Sequence, residues 1–500
     1  MKTKLHLFTF LFFSLFCFSQ PGSLDATFDG DGKKVISFAT PNDYGEFVLI
    51  QPDSKIIVGG RSSLTGGNLS FSLARMNPSG SFDSGFGTSG KVTTSYGTEG
   101  FEAVSSALQQ DGKIVVAGNS FTNASLGYSQ IAVVRYNQNG SLDTTFDTDG
   151  MVFLQLPTSN EDFVKAVKIQ SDGKIVVGIQ SKINSNFDFV LVRYTSDGIL
   201  DTTFDSDGIV RTILPNNEAI YDIALQNDGK IIAAGYKSNT NDDLYVGRYN
   251  SNGSIDTSFA TNGFFTYDFS ANHNYVFGVA MTSDNKIVLG GRYQNGAGYS
   301  PFVARLNSNG TFDTAFDSDG ILILTTDEMI SDVLLQLDDK IITAGISNGK
   351  FGVWKLNVNG SFDNTFGTSG KVETVVNINF CIGNNVALQP DGKIVVVGST
   401  YGSPFTKYGV VRYNNDAPLS TSSFLNSDYK LYPNPSNGSV FLEVDDEMLT
   451  ANVTIYNIMG QKCKSFKIAT TIQQTQLEKG IYFVELEKEG IQLTKKLIVN

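Results

Sequence analysis

Apolar and polar positions in this chain follow one short programme that recurs. Around residue 110, AVSSALQQ alternates apolar with polar or small side chains, as a strand with one buried face does. Asp111-Gly112 then interrupts it, and KIVVAG follows with apolar residues at nearly every position. A run of that kind suits a strand covered on both faces. QIAVVRYN predicts a third strand, GSLDTTFDTDG a polar glycine-bearing link, and MVFLQL a fourth. The Asp-Gly pair predicts a two-residue type I′ hairpin, with both turn residues at positive φ.

Three markers recur seven times each. A link phenylalanine falls at Phe28, Phe86, Phe146, Phe204, Phe259, Phe316 and Phe366, a spacing of about 56 residues. A Lys-Ile turn recurs from PDSKIIV to PDGKIVV, and a strand cation falls at Arg75, Arg135, Arg193, Arg248, Arg305, Lys355 and Arg412. Seven four-stranded units stacked face to face predict a β-propeller. The first copy opens with GSLDATF and lacks a preceding Arg-Tyr-Asn strand, whereas the last ends at VVRYNN and lacks a following link. The two ends complement each other. Residues 32–38 are therefore expected to supply the outer strand of the sheet formed by residues 380–414, closing a seven-bladed ring.

The link aspartates Asp25, Asp83, Asp143, Asp201, Asp256, Asp313 and Asp363 occur in every copy, six of them eight residues after the strand cation. We expect cation–carboxylate pairs that tie link to strand, with Arg412 reaching Asp25. The acids further along the link behave differently. Asp29/Asp31, Asp147/Asp149, Asp205/Asp207 and Asp317/Asp319 are present in four copies, while the terminal glycine of that turn is in all seven. The DxDG start of a calcium loop is there without its distal ligands, so a turn is the expected role, with calcium-stabilised scaffolding as an alternative. The recurring phenylalanine reads as a core plug. Trp354, the one tryptophan, reads as a packing substitution.

Charge and composition narrow the functions. A net charge of −13 offers no basic face for nucleic acid. Lys2 and Lys4 precede an apolar run from Leu5 to Phe18, so residues 1–19 read as a cleaved signal peptide, and no later run is long enough to span a membrane. After cleavage only Cys381 and Cys463 remain, in separate expected domains, and His273 is the single histidine, read as a surface turn residue in SANHNY. That leaves no material for a disulfide framework, zinc site or histidine-based triad. No asymmetric group of acids, tyrosines or histidines stands out. No catalytic, cofactor-binding or metal-binding residue is assigned and no cofactor is expected.

The repeats resemble the delta-60 repeat of bacterial surface proteins through GSLDTTFDTDG, ALQQDGKIVVAG and VVRYNQNG, a family that brings no catalytic residues with it. After a polar linker at 416–427 the markers vanish. LYPNPSNGSVFLEV, ANVTIYNIMGQKCKSF, LEKGIYFVELEKEG and KKLIVN alternate like a small antiparallel sandwich, entered by Tyr432-Pro433-Asn434-Pro435 as an extended arm. YPNPSNG, YNIMGQ, KGIYFVEL and KKLIVN resemble the type A sorting domain of the type IX secretion system of Bacteroidetes. The resemblance implies export, with residues 428–500 engaging the secretion machinery and residues 20–415 delivered outside the cell.

The leading functional expectation is a non-enzymatic surface or secreted propeller that binds or adheres. Polysaccharide or protein ligands would meet the inserts Gly97 to Phe101, Asn119 to Ser129, Asn239 to Asp243, Asn295 to Ser300 and Tyr401 to Lys407. An extracellular polysaccharide hydrolase or lyase with its site in the channel is the alternative of a different class.

Overall fold

The computed structural model describes residues 20–499 other than 39–41, 64–67, 97–99, 124–127, 158, 160, 184, 239–240, 270–272, 297, 325–327, 377–379, 403–404, 417–428, 445–447, 458–460 and 489–490. The signal peptide and the linker beyond Asp416 lie outside the described residues. Among the described residues there is no α-helix, and 35 strands form nine sheets. The chain divides into two compact units, Met1–Asp416 and Ala417–Asn500.

The first unit holds seven four-stranded antiparallel sheets. Six run consecutively, as in Phe101–Leu108, Ile114–Asn123, Tyr128–Tyr136 and Met151–Leu154. The seventh combines Phe380–Leu388, Ile394–Tyr401 and Thr406–Tyr413 with Lys33–Ile36, where Lys33 lies opposite Val411 and Ile36 opposite Tyr408. Side chains in the second strands explain the unbroken apolar runs. Ile114 and Val116 pack toward the preceding sheet, Val115 and Ala117 toward the following one, and all four are fully buried. Every neighbouring pair of sheets shares such a cluster. One joins Val395, Val397 and Tyr408 of the last sheet to Val48, Ile56 and Val58 of the first.

The hairpin turn differs from the type I′ expectation. Gly112 has φ +81, but Asp111 is not at positive φ, and Gly112 N–H donates to the Gln109 carbonyl at 2.9 Å while Gln109 N–H donates to Lys113. This is a type I turn closed by a left-handed residue in a bulge. The aspartate explains the choice, since Asp111 Oδ1 accepts the Lys113 N–H at 3.1 Å and holds that residue out of the left-handed region. In three copies Ser54, Asn285 and Asp339 occupy the left-handed position instead of glycine. Asp339 bonds Ser283 with both oxygens, whereas Ser54 uses its side chain for no such contact. Ser54→Gly should therefore stabilise the protein by about 0.5–1 kcal/mol in denaturant titration, by relieving a left-handed L-residue.

In the second unit, Lys430–Tyr432, Ser439–Glu443 and Ile472–Gln476 form one sheet. Lys462–Lys467, Asn452–Asn457, Gly480–Lys488 and Ile491–Val499 form the other. Val440 and Leu442 of the first share one buried cluster with Val453, Ile455, Val484 and Leu486 of the second. After Tyr432 the Pro-rich arm is held by Asn434, which donates to the Lys496 carbonyl at 2.8 Å and accepts from Ile498 N–H at 2.9 Å.

Candidate functional site

Each link is tied to its sheet as the spacing predicts. Arg75–Asp83, Arg135–Asp143, Arg193–Asp201, Arg248–Asp256 and Arg305–Asp313 meet at 2.9, 2.6, 2.8, 2.8 and 2.7 Å, and Lys355–Asp363 at 3.4 Å. Arg412 pairs with Asp25 at 2.8 Å across nearly the whole sequence of the unit. The five paired arginines from Arg75 to Arg305 also donate to turn carbonyls of the following sheet, at Gln138, Ser196, Ser251, Ser308 and Val358, and Arg412 donates to Pro78 of the first sheet.

Two further partners were not drawn from the sequence. The hairpin lysine reaches the same carboxylate in all seven copies, as Lys113 does to Asp143 at 3.1 Å. The link phenylalanine lies beneath the cation as well as plugging the core, with Arg135 4.7 Å from the centre of the Phe146 ring. Both residues recur seven times, so the signal was present. Burial alone would raise the Asp143 carboxyl, but hydrogen bonds from Thr145 and Lys113 and the Arg135 charge outweigh it and hold the group at about 2.

The link acids serve the turn. Asp31, Asp149, Asp207 and Asp319 each accept the backbone N–H two residues on, at 2.8–2.9 Å. Among the described residues no group of three acids, histidines or cysteines could hold a metal ion. Thermal melts in chelator and in millimolar calcium should give one midpoint, since a bound ion would raise it. Trp354 is 1% exposed, within the packed core.

The channel holds what the repeat pattern hides. Every inner strand carries one bulge, and the bulged residues are Glu46, Val104, Lys165, Tyr221, Phe277, Ser331 and Asn384. They line a cavity of about 450 Å³ to which all seven inner strands contribute. The next position stitches sheets together. Ser105, Asp222, Asp332 and Asn385 accept N–H groups of Val167, Val279, Val386 and Val48 at 3.2, 3.1, 3.0 and 2.9 Å. Lys168 lies 3.7 Å from Asp222. Burial and then the Asp222 charge push Asp332 up to about 7, burial raises Glu46 and lowers Lys165, and the Asp222 charge raises Lys168. The sequence offers no asymmetric cluster strong enough to name, and the bulges bring these unlike residues together. Bulges break the two-residue alternation from which inward-facing positions are read.

One end of this cavity carries a cluster of aromatic and cationic side chains, most of it on the fourth and fifth sheets. It is the end at which inner strands begin and second strands finish, with Tyr44 opposite Arg61. Tyr221 and Phe277 meet edge to face at 4.9 Å, Tyr236 and Tyr275 at 5.3 Å, and Tyr221 and Tyr236 lie 6.0 Å apart. His273 is more than a turn residue, because its Nδ1 lies 2.7 Å from Asp242, which also accepts from Ser238 Oγ and the Tyr275 hydroxyl. Parts of all five inserts (97–99, 124–127, 239–240, 297 and 403–404) lie outside the described residues. Their described flanks stand at this same end, as at Ser238–Asp242, Asn295–Gly298 and Tyr401–Thr406.

Seven repeated four-stranded sheets whose inner strands line one cavity, followed by a separate β module, define a repeat β-propeller with a C-terminal appendage. Residues 51–86, 109–146, 170–204, 226–259, 282–316, 336–366 and 389–416 match the family described as a domain of unknown function beta-propeller. Residues 430–500 match the secretion system C-terminal sorting domain. The chain therefore carries seven repeats of that propeller family and a type IX sorting domain, which directs it to the cell surface or the extracellular space.

Beta-agarase A of Zobellia galactanivorans is 32% identical over 79 residues, covering 15% of this chain and 14% of the agarase. The chain thus spans a small fraction of the curated relative it matches. PorZ, an essential bacterial surface component of the type-IX secretion system of Porphyromonas gingivalis, superposes with a TM-score of 0.43 at 11% identity over 93% of this chain and 60% of its own. Virginiamycin B lyase from Staphylococcus aureus gives 0.44 at 13% identity, covering 76% of this chain and 98% of the lyase. The polysaccharide lyase Uly1 gives 0.46 at 10% identity, covering 75% of this chain and 90% of the lyase.

Proposed function

We infer that this exported propeller is a non-enzymatic binding module and that its ligand face is the aromatic-rimmed end of the channel. The observation that carries the reading is the break in symmetry there. Sheets that agree at the link network diverge at this mouth, where tyrosines, phenylalanines and cations gather on the fourth and fifth sheets. A ring closed by Lys33–Ile36, whose pairing with Tyr408–Val411 supports it, gives that face a rigid frame. The shared core of the two C-terminal sheets supports a small β-sandwich for the sorting unit. Binding is favoured over hydrolysis or elimination because the central acids are engaged. Asp332 accepts from Val333, Val386 and Asn385, and Asp222 from Ile223 and Val279, which leaves neither poised as a free base.

The test presents the exported chain to arrays of extracellular polysaccharides and surface proteins, with parallel assays for new reducing ends and unsaturated products. Retention without turnover is expected, lost when Tyr236 and Tyr275 are changed to alanine. Turnover of any polymer would overturn the non-enzymatic reading, and silence on both arrays would overturn the binding one.

A further inference from the structure

Arg292 stands out among the arginines. Every other described arginine has a carboxylate oxygen within 4.0 Å. Among the described residues Arg292 has none, its Nε is buried without a hydrogen-bond partner, and its guanidinium meets Met329 Sδ at 3.7 Å. The guanidinium instead lies over aromatic rings, 5.5 Å from the centre of Phe277 and 4.2 Å from that of Tyr299. Lys165, the bulged residue of the third sheet, likewise makes no ion pair among the described residues and lies 5.5 Å from the centre of Tyr221. Tyr221 and Phe277 are themselves in contact at 4.9 Å. The Ser331 hydroxyl, at the bulge of the sixth sheet, is buried and also lacks a partner. Around the mouth the order is cation, ring, ring, cation, then an unsatisfied hydroxyl.

Two cations without a carboxylate partner, one at each end of an aromatic pair, stand out in a chain of net charge −13 that pairs its other described arginines. An anionic ligand supplies the missing partner, because charge-assisted hydrogen bonds to a carboxylate or sulfate are the strong ones. The aromatic pair between the cations offers apolar surface to the C–H face of a sugar ring. The cavity, about 450 Å³, lies in the range of sites for small ligands; Lys165, Tyr221, Phe277 and Ser331 line it, as does Met329, whose sulfur Arg292 meets at 3.7 Å.

We propose that Lys165, Tyr221, Phe277, Arg292 and Ser331 form a subsite for an acidic saccharide, with a uronate carboxylate or sugar sulfate held between the two cations. This rests on the reading of the channel mouth as the ligand face. The full exported chain is tested by affinity electrophoresis in gels containing polygalacturonate, dextran sulfate, neutral dextran or polyglutamate. Retardation is expected by polygalacturonate or dextran sulfate, whichever anion fits, and not by neutral dextran or polyglutamate. Lys165→Gln and Arg292→Gln should each weaken it roughly 10-fold or more, the range of one charged hydrogen bond. Lys182→Gln, on the same face but already paired with Glu161 at 2.6 Å, should leave it unchanged. Melting curves confirm that each variant is folded. Retardation indifferent to both cations would overturn the subsite while leaving the binding face standing. Equal retardation by neutral dextran or polyglutamate would overturn the acidic-saccharide class. Loss of all four interactions alongside a positive protein array would do the same without touching the broader binding function.

Discussion

Asp143→Ala is expected to cost about 3–5 kcal/mol of stability, the loss found when one member of a buried ion pair is removed. Arg135 would lose its 2.6 Å partner while its side chain remains 3% exposed, Lys113 would lose the same Oδ2 atom, and Thr145 would lose Oδ1. The damage is an orphaned charge rather than a missing attraction. A double variant, Arg135→Met with Asp143→Ala, should therefore be less destabilised than the sum of the single changes. Asp207→Ala is the control. Its partner Arg211 lies 2.9 Å away, but the Asp207 side chain is 50% exposed, and an exposed pair contributes about 0–1 kcal/mol. Denaturant titration of the full chain distinguishes these cases, and equal losses at Asp143 and Asp207 would mean that the network is ornamental. Asp25→Ala extends the same logic to the ends of the unit. If Lys33–Ile36 completes the last sheet, orphaning Arg412 should be as costly as orphaning Arg135.

The network was legible because it repeats. An aspartate eight residues after a cation is unremarkable once, yet six copies at that spacing in one chain let position be separated from accident. Arg412 and Asp25 could be paired from opposite ends of the sequence on that basis alone. Lys113 and its equivalents are just as regular, but the Asp-Gly-Lys-Ile run reads first as a turn, which hides the lysine's second role. The turn itself was misjudged. Composition favoured the two-residue form, while the Asp111 side chain, bonded to Lys113 N–H, selects the bulged one. The ligand face was illegible for the opposite reason. Lys165, Tyr221, Phe277 and Ser331 occupy equivalent bulges but share no residue type. A reading built on recurrence discards such positions as variation. Repetition reveals the scaffold, and function on a repeat scaffold resides where repetition fails.

Glu218→Gln is expected to stabilise the protein on the order of 3–5 kcal/mol at pH 8 and to do almost nothing at pH 4. Glu218 is fully buried, neither carboxylate oxygen has a hydrogen-bond partner, and Lys237 stands off at 4.0 Å. Burial first, and then the Asp188 charge, push it up to about 8 from its ordinary 4.5, against the opposing pull of Lys237. A carboxyl raised in this way favours the folded state while protonated, so its contribution is full below about pH 4.5 and is lost as pH rises toward 8. Asp332, pushed up to about 7, acts in the same direction. The link aspartates act oppositely. Asp143 and Asp201 are held at about 2, below their ordinary 3.8, so each contributes about 2–3 kcal/mol that is present above pH 4 and lost as pH falls toward 2. Stability should therefore peak near pH 4–5, with an acid arm set by the link network and a gentler neutral arm set by Glu218 and Asp332. Melting temperatures recorded from pH 3 to pH 9 resolve the two arms. Glu218→Gln should flatten the neutral arm and leave the acid arm intact, whereas Asp143→Asn should remove part of the acid arm alone. A neutral arm unchanged in Glu218→Gln would mean that this carboxylate ionises inside the fold without cost.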